Sequence, residues 1–103
     1  MRRARGAILA ARVRVTVHLP EFLRRYGGGE SDLAAQGATV GDALADLFRT
    51  RPDLRVHVVD AKGALFPFLV LVRNGAELAR GDALRAQLAD GDRLEIVGGA
   101  EGG

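Results

Sequence analysis

A single stretch of the chain has the period of a long helix, which limits the folds open to it. Val40, Ala43, Leu44, Leu47 and Phe48 recur at i, i+3, i+4, i+7 and i+8, forming one apolar stripe. Asp46, Arg49 and Arg51 fall off that stripe. Thr39 and Asp42 fit a helix start, with a hydroxyl to accept an orphan N–H and a carboxylate in the first turn. Pro52 is expected to stop the helix, because the residue before a proline is driven out of helical backbone. Ahead of the helix the period is two. Val13, Val15, Val17 and Leu19 alternate with Arg12, Arg14, Thr16 and His18, the pattern of a half-buried strand over 12–19. After Pro20, a connecting segment over 21–26 and a Gly27-Gly28-Gly29 turn lead to a second strand over 30–36, paired as a hairpin with the first.

Beyond the helix, 54–59 is ambiguous, and Asp60-Ala61-Lys62-Gly63 reads as a turn. The most apolar stretch is 65–72, interrupted early by Pro67. Its run Leu69-Val70-Leu71-Val72 suits a central strand covered on both faces, with Phe66 and Phe68 sharing one face. Asn74-Gly75 is a strong hairpin signal, because both residues tolerate the positive φ of a type I′ turn. A brief strand at Glu77 and Leu78 follows, then a helical turn over 82–89 with Leu84 and Leu88 facing inward. Asp90-Gly91-Asp92 turns the chain into a last strand over 93–97. The order is β-β-α-β-β-β. One helix can cover one face of a mixed sheet of about five strands, the two-layer α+β layout of a β-grasp.

With 103 residues, one domain is expected, spanning 12–97 between a disordered N-terminal extension (1–11) and a flexible tail (98–103). Cysteine is absent, so a disulfide, a thiolate metal site and a cysteine nucleophile are excluded. The net charge is +2 and the basic cluster is confined to Arg2, Arg3 and Arg5. That lacks the footprint of nucleic-acid binding. No apolar run approaches the ~20 residues of a membrane span, and a cytoplasmic location is expected. His18 and His57 are far apart and without a ligand signature, so no metal is expected. Ser31, the only serine, lacks a nucleophile-elbow context. Asp90 and Asp92 read as turn formers.

Several pieces in order resemble the ThiS/MoaD family of ubiquitin-like sulfur carriers. They are Thr39-Val40-Gly41-Asp42-Ala43-Leu44 at the helix start, Arg73-Asn74-Gly75 after the apolar strand, Ala89-Asp90-Gly91-Asp92-Arg93-Leu94 before the last strand, and Gly102-Gly103 at the end. The resemblance covers roughly residues 12–103, nearly a whole domain. Many relatives carry a proline or bulky apolar residue after the last strand, where this chain has Gly98-Gly99-Ala100-Glu101.

The resemblance implies a carrier, not an enzyme. Its Gly103 carboxylate would be adenylated with ATP by an E1-like enzyme, then converted by a sulfur donor into a thiocarboxylate. Gly102 would help present the tail. No cofactor would be bound. The sulfur would pass to an acceptor of the molybdopterin synthase large-subunit, cysteine synthase or thiazole synthase type, or into tRNA thiolation. Since the family docks by its sheet and tail, Phe66 and Phe68 become a candidate partner surface. Two other readings stay open: a ubiquitin-like modifier joined to lysines through Gly103, and a binding module with an inert tail.

Overall fold

In the computed structural model, which describes residues 13–98, the early alternation becomes strand β1 (Arg14–His18), with Val15 and Val17 buried. Strand β2 (Asp32–Gln36) returns antiparallel to it, placing Leu33 opposite Val17 and Ala35 opposite Val15. The connecting segment between them is a 3₁₀ helix (Glu21–Gly27) that buries Leu23.

Helix α1 (Val40–Thr50) starts as expected: the Asp42 N–H donates to Thr39 Oγ1 at 3.1 Å. Its stripe of Val40, Ala43, Leu44 and Leu47 is buried and joins one core with the inward residues of the sheet, while Phe48 is packed at the edge of that core. Pro52 does end this helix, but it also opens another, α2 (Pro52–Val58), across the segment that was ambiguous in sequence. Arg51, at φ −131° and ψ 69°, is the break between them. A proline's missing N–H costs nothing at the first helical position, where that group would have no partner. Leu54 and Val58 bury the inner side of α2.

The remaining strands are β3 (Leu69–Arg73), β4 (Ala76–Glu77) and β5 (Arg93–Gly98), and the sheet order is β2-β1-β5-β3-β4. The pairing is mixed: β5 runs parallel to β1 and antiparallel to β3. This corrects one expectation. The central strand is β5, whereas β3 lies beside a two-residue edge strand. Leu69 and Leu71 are buried, but Val70 and Val72 are only half-buried, so the apolar run of β3 is covered on one face. Asn74 and Gly75 take φ values of 50° and 87° and close the β3–β4 hairpin as the sequence indicates.

The helical turn expected over 82–89 is a 3₁₀ helix at Arg80–Arg85 that buries Ala83. Leu88 is buried beyond it, with its N–H donating to the Ala38 carbonyl at 2.9 Å, and Leu84 is only half-buried. Gly98, expected to begin the tail, is the last residue of β5. The extension (1–11) and residues 99–103 lie outside the described residues.

Two features of this packing give measurable consequences. At Gly37, between β2 and α1, an added Cβ would sit 2.4 Å from the Ala43 nitrogen and 2.7 Å from the Asp42 carbonyl carbon. Backbone cannot yield as a flexible side chain can. Gly37→Ala is expected to cost about 1–3 kcal/mol, the usual range for overpacking, read as a lower urea midpoint with unchanged slope.

Asp92 joins the two ends of the sheet's turn cluster. Its Oδ2 accepts the Ala89 N–H at 2.8 Å and its Oδ1 accepts from Asn74 Nδ2 at 2.9 Å. These bonds, the Ala89 amide foremost and the Asn74 amide next, hold its carboxyl below the ordinary value of 3.8. A carboxyl depressed in the folded state stabilises the fold above its unfolded pKa and loses that contribution as pH falls through the lower folded value. The stability difference between the wild type and Asp92→Asn is therefore expected to be fully developed at neutral pH. It should shrink below about pH 3.8, as followed by urea denaturation across that range.

Candidate functional site

Pairing with β1 on one side and β3 on the other sets β5 in the middle of the sheet, and its alternation turns Leu94 and Ile96 into the core and Val97 out. Its last residue, Gly98, pairs with Leu69, the first residue of β3. The chain therefore leaves the sheet at the place where β3 begins. Gly102 and Gly103, the expected reactive tail, lie outside the described residues.

Phe66 and Phe68 sit just before that point, and not on a strand face as the sequence pattern suggests. Proline fixes φ near −65° and favours the second position of a β-turn. Here the Leu69 N–H donates to the Phe66 carbonyl at 3.0 Å, closing a turn with Pro67 in that position. The Phe66 N–H donates to the Val58 carbonyl at 3.0 Å and ties the turn to the end of α2. The two phenyl rings stack with centroids 5.7 Å apart and planes 15° from parallel. The Arg80 guanidinium reaches across to this turn, donating from Nη2 to the carbonyls of Pro67, at 3.0 Å, and Leu69.

The two rings form one wall of a groove of about 570 Å³. The first 3₁₀ helix supplies Phe22 and Tyr26, and α2 supplies Val56 and His57. Tyr26 and His57 stack at 3.9 Å between centroids. These four residues carried no functional signal in the sequence. The meeting of Phe22 and Tyr26 with 56–57 and 66–68 is set by tertiary packing, which no local period records.

The outer face of β1, β2 and β5 carries a polar cluster around Asp32. His18 Nδ1 lies 2.7 Å from Asp32 Oδ1, and Arg93 Nη2 lies 3.4 Å from the same oxygen. The His18 hydrogen bond, and after it Arg93, lowers the Asp32 pKa from its ordinary value. This is a hydrogen-bonded polar cluster at a sheet surface, not a buried acid or base. Among the described residues no group of three or more His, Asp or Glu side chains is placed to hold a metal ion. Among them, too, no helix is long and apolar enough to cross a membrane. The geometry thus offers a binding surface beside a chain exit.

A family model described as the ThiS family matches residues 17–103. The sulfur carrier protein CysO of Mycobacterium tuberculosis is 30% identical over 91 residues, spanning 86% of this chain and 98% of the relative. A chain in the crystal structure of the Amycolatopsis orientalis BexX/CysO complex is 31% identical. It superposes with a TM-score of 0.75, covering 82% of this chain and 93% of that one. SAMP1 from Haloferax volcanii is 29% identical with a TM-score of 0.72, covering 87% of this chain and 99% of that one.

Proposed function

This chain belongs to the ThiS family of sulfur carriers, small ubiquitin-like β-grasp proteins that are not themselves enzymes, and we propose that its working group is the Gly103 carboxylate. One observation carries the proposal: the family match runs through Gly102-Gly103, and these residues follow, within a short stretch, a strand held on both sides.

A carboxylate resists nucleophiles because of its own charge and its poor leaving group. In the proposed first step a Gly103 carboxylate oxygen attacks the α-phosphorus of ATP on an E1-like adenylating enzyme, and pyrophosphate leaves. A sulfur nucleophile then adds to the carbonyl, and AMP departs with the bridging oxygen. With hydrosulfide as the nucleophile the product is a thiocarboxylate at Gly103. The partner supplies electrostatic stabilisation and orientation. Gly102 and Gly103 supply reach, since neither has a Cβ to collide with a narrow channel. ATP is thus the partner's substrate, and the carrier binds no cofactor of its own. Phe66 and Phe68 contact the partner beside the exit of the tail.

The complex of a related chain with BexX supports an enzyme partner. A cytoplasmic site of action fits a chain without cysteine. Identity to CysO favours an acceptor of the kind that CysO serves over those of molybdopterin, thiamine or tRNA thiolation.

The similarity to SAMP1, a small archaeal modifier protein, favours one alternative. In it the same acyl-adenylate passes to a lysine amine. Lys62 is the only lysine of the chain and stands exposed in the Asp60–Gly63 turn, so chains of the modifier would have a single internal acceptor.

Intact mass after incubation with ATP, the host's adenylating enzyme and sulfide should rise by the difference between sulfur and oxygen. Deleting Gly103 should abolish that rise. A ladder of conjugates in lysate without the mass rise would replace the carrier with the modifier. Full biological function in the deleted variant would reduce the tail to an inert end.

A further inference from the structure

We propose that the groove formed by the first 3₁₀ helix, α2 and the Phe66–Phe68 turn docks the adenylating enzyme, receiving from it an apolar segment that carries a carboxylate. The proposal rests on the carrier reading above and names the surface that reading requires.

Burial comes first. Phe22, Val56 and Phe68 are 46%, 62% and 40% exposed, and all three line this groove. Large apolar side chains scattered singly over a surface need no explanation, but gathered in one concavity they mark a contact site. Val97, 40% exposed, is the next exposed large apolar residue and directly precedes Gly98.

Position comes second. Phe68 adjoins Leu69, and Leu69 pairs with Gly98. Residues 99–103 span roughly 17 Å when fully extended. An enzyme that encloses so short a tail comes up against the end of β5, and the groove wall stands at that end. Recognition of the tail and of the groove is thus continuous.

Charge comes third. Arg25 lines the groove, and among the described residues none of its lining side chains is acidic. The Arg25 guanidinium lies 5.3 Å from the centre of the Tyr26 ring. A partner carboxylate at this rim would be matched, whereas a second copy of this chain would bring Arg25 toward Arg25.

The groove is also built before any partner arrives. Tyr26 stacks on His57, and Arg80 holds the carbonyls of Pro67 and Leu69. Arg80 acts here as a positioning residue, setting the Phe66–Phe68 wall. A preformed wall spares the ordering cost that a loose turn would add to binding.

The test uses the full chain with ATP and the E1-like adenylating enzyme of its source organism, reading ATP–pyrophosphate exchange. Phe22→Ala with Val56→Ala is expected to raise the KM for the carrier by about tenfold or more, as loss of buried apolar anchors does, with kcat within about twofold. Arg25→Glu should raise KM in the same way. Arg80→Ala should also raise it, with partial recovery in Arg80→Lys. The chain lacking Gly103 should not turn over, yet should inhibit the wild type with an inhibition constant near the wild-type KM. Matching melting curves show that the groove variants fold, as their exposure predicts. Unchanged KM in both the double variant and Arg25→Glu, with an active wild type, overturns the groove and leaves the carrier standing. A concentration-dependent dimer that the double variant abolishes assigns the groove to a second copy and overturns the proposal. A wild type that supports neither exchange nor the mass increase overturns the carrier reading, and the groove proposal with it.

Discussion

The fold depends on its last strand taking the middle place in the sheet. β5 bonds to β1 on one side and β3 on the other. Without it, β2-β1 and β3-β4 would be separate two-stranded ribbons, each marginal in water. The buried side of α1 would then lose Leu94 and Ile96, both within the shared core. The element nearest the chain end is therefore the one the whole domain is built to hold. For a carrier this is a useful arrangement. In the proposed reaction the Gly103 carboxylate is reached from a fixed point, because Gly98 is held in the sheet by its pairing with Leu69.

Around that origin the molecule places its unspent apolar surface. The Phe66-Pro67-Phe68 turn is tied to α2 by the Phe66–Val58 bond and to the second 3₁₀ helix by Arg80. Each bond alone is worth on the order of 1 kcal/mol. Their joint effect is geometric, holding two stacked rings against a groove whose other wall comes from residues 22–26 and 56–57. The His18, Asp32 and Arg93 cluster occupies the outer face of β1, β2 and β5.

What the sequence disclosed followed the range of the interactions involved. The β1 alternation, the α1 stripe, the Thr39 cap and the Asn74-Gly75 turn are local, and each element formed where its pattern lay. The failures were positions where two local readings compete or where distant pairing decides. Pro52 was legible as a stop but not as a start, because proline suits both roles and only Arg51's backbone separates them. Phe66 and Phe68 fit a strand face by period, yet Pro67 bends that stretch into a turn. The apolar run of β3 suggested the sheet centre, but pairing gave that place to β5, whose Arg93 and Glu95 make it less apolar in sequence. The groove was invisible for the same reason, since no period links residues 22, 56 and 66. Gly102-Gly103 was plain in the sequence, and its meaning rests on the family match through residue 103.

A tail made of glycine, alanine and one glutamate creates a problem of discrimination. In the proposed reaction Gly102 and Gly103 would present an enzyme with backbone and a carboxylate, groups that any chain with the same ending would offer. Specificity is a difference of binding free energies, and it cannot arise from atoms shared by right and wrong partners alike. Only Glu101 distinguishes the last three residues by a side chain. The discriminating contacts therefore belong to the folded domain, close enough to the tail to act while it is engaged. Phe22, Val56 and Phe68 meet both conditions: they are exposed, and Phe68, in the wall of their groove, adjoins the residue that pairs with Gly98. Under the two proposals, the bare tail and the rich groove are two halves of one constraint, with reaction assigned to the Gly103 carboxylate and recognition to the folded surface beside Gly98.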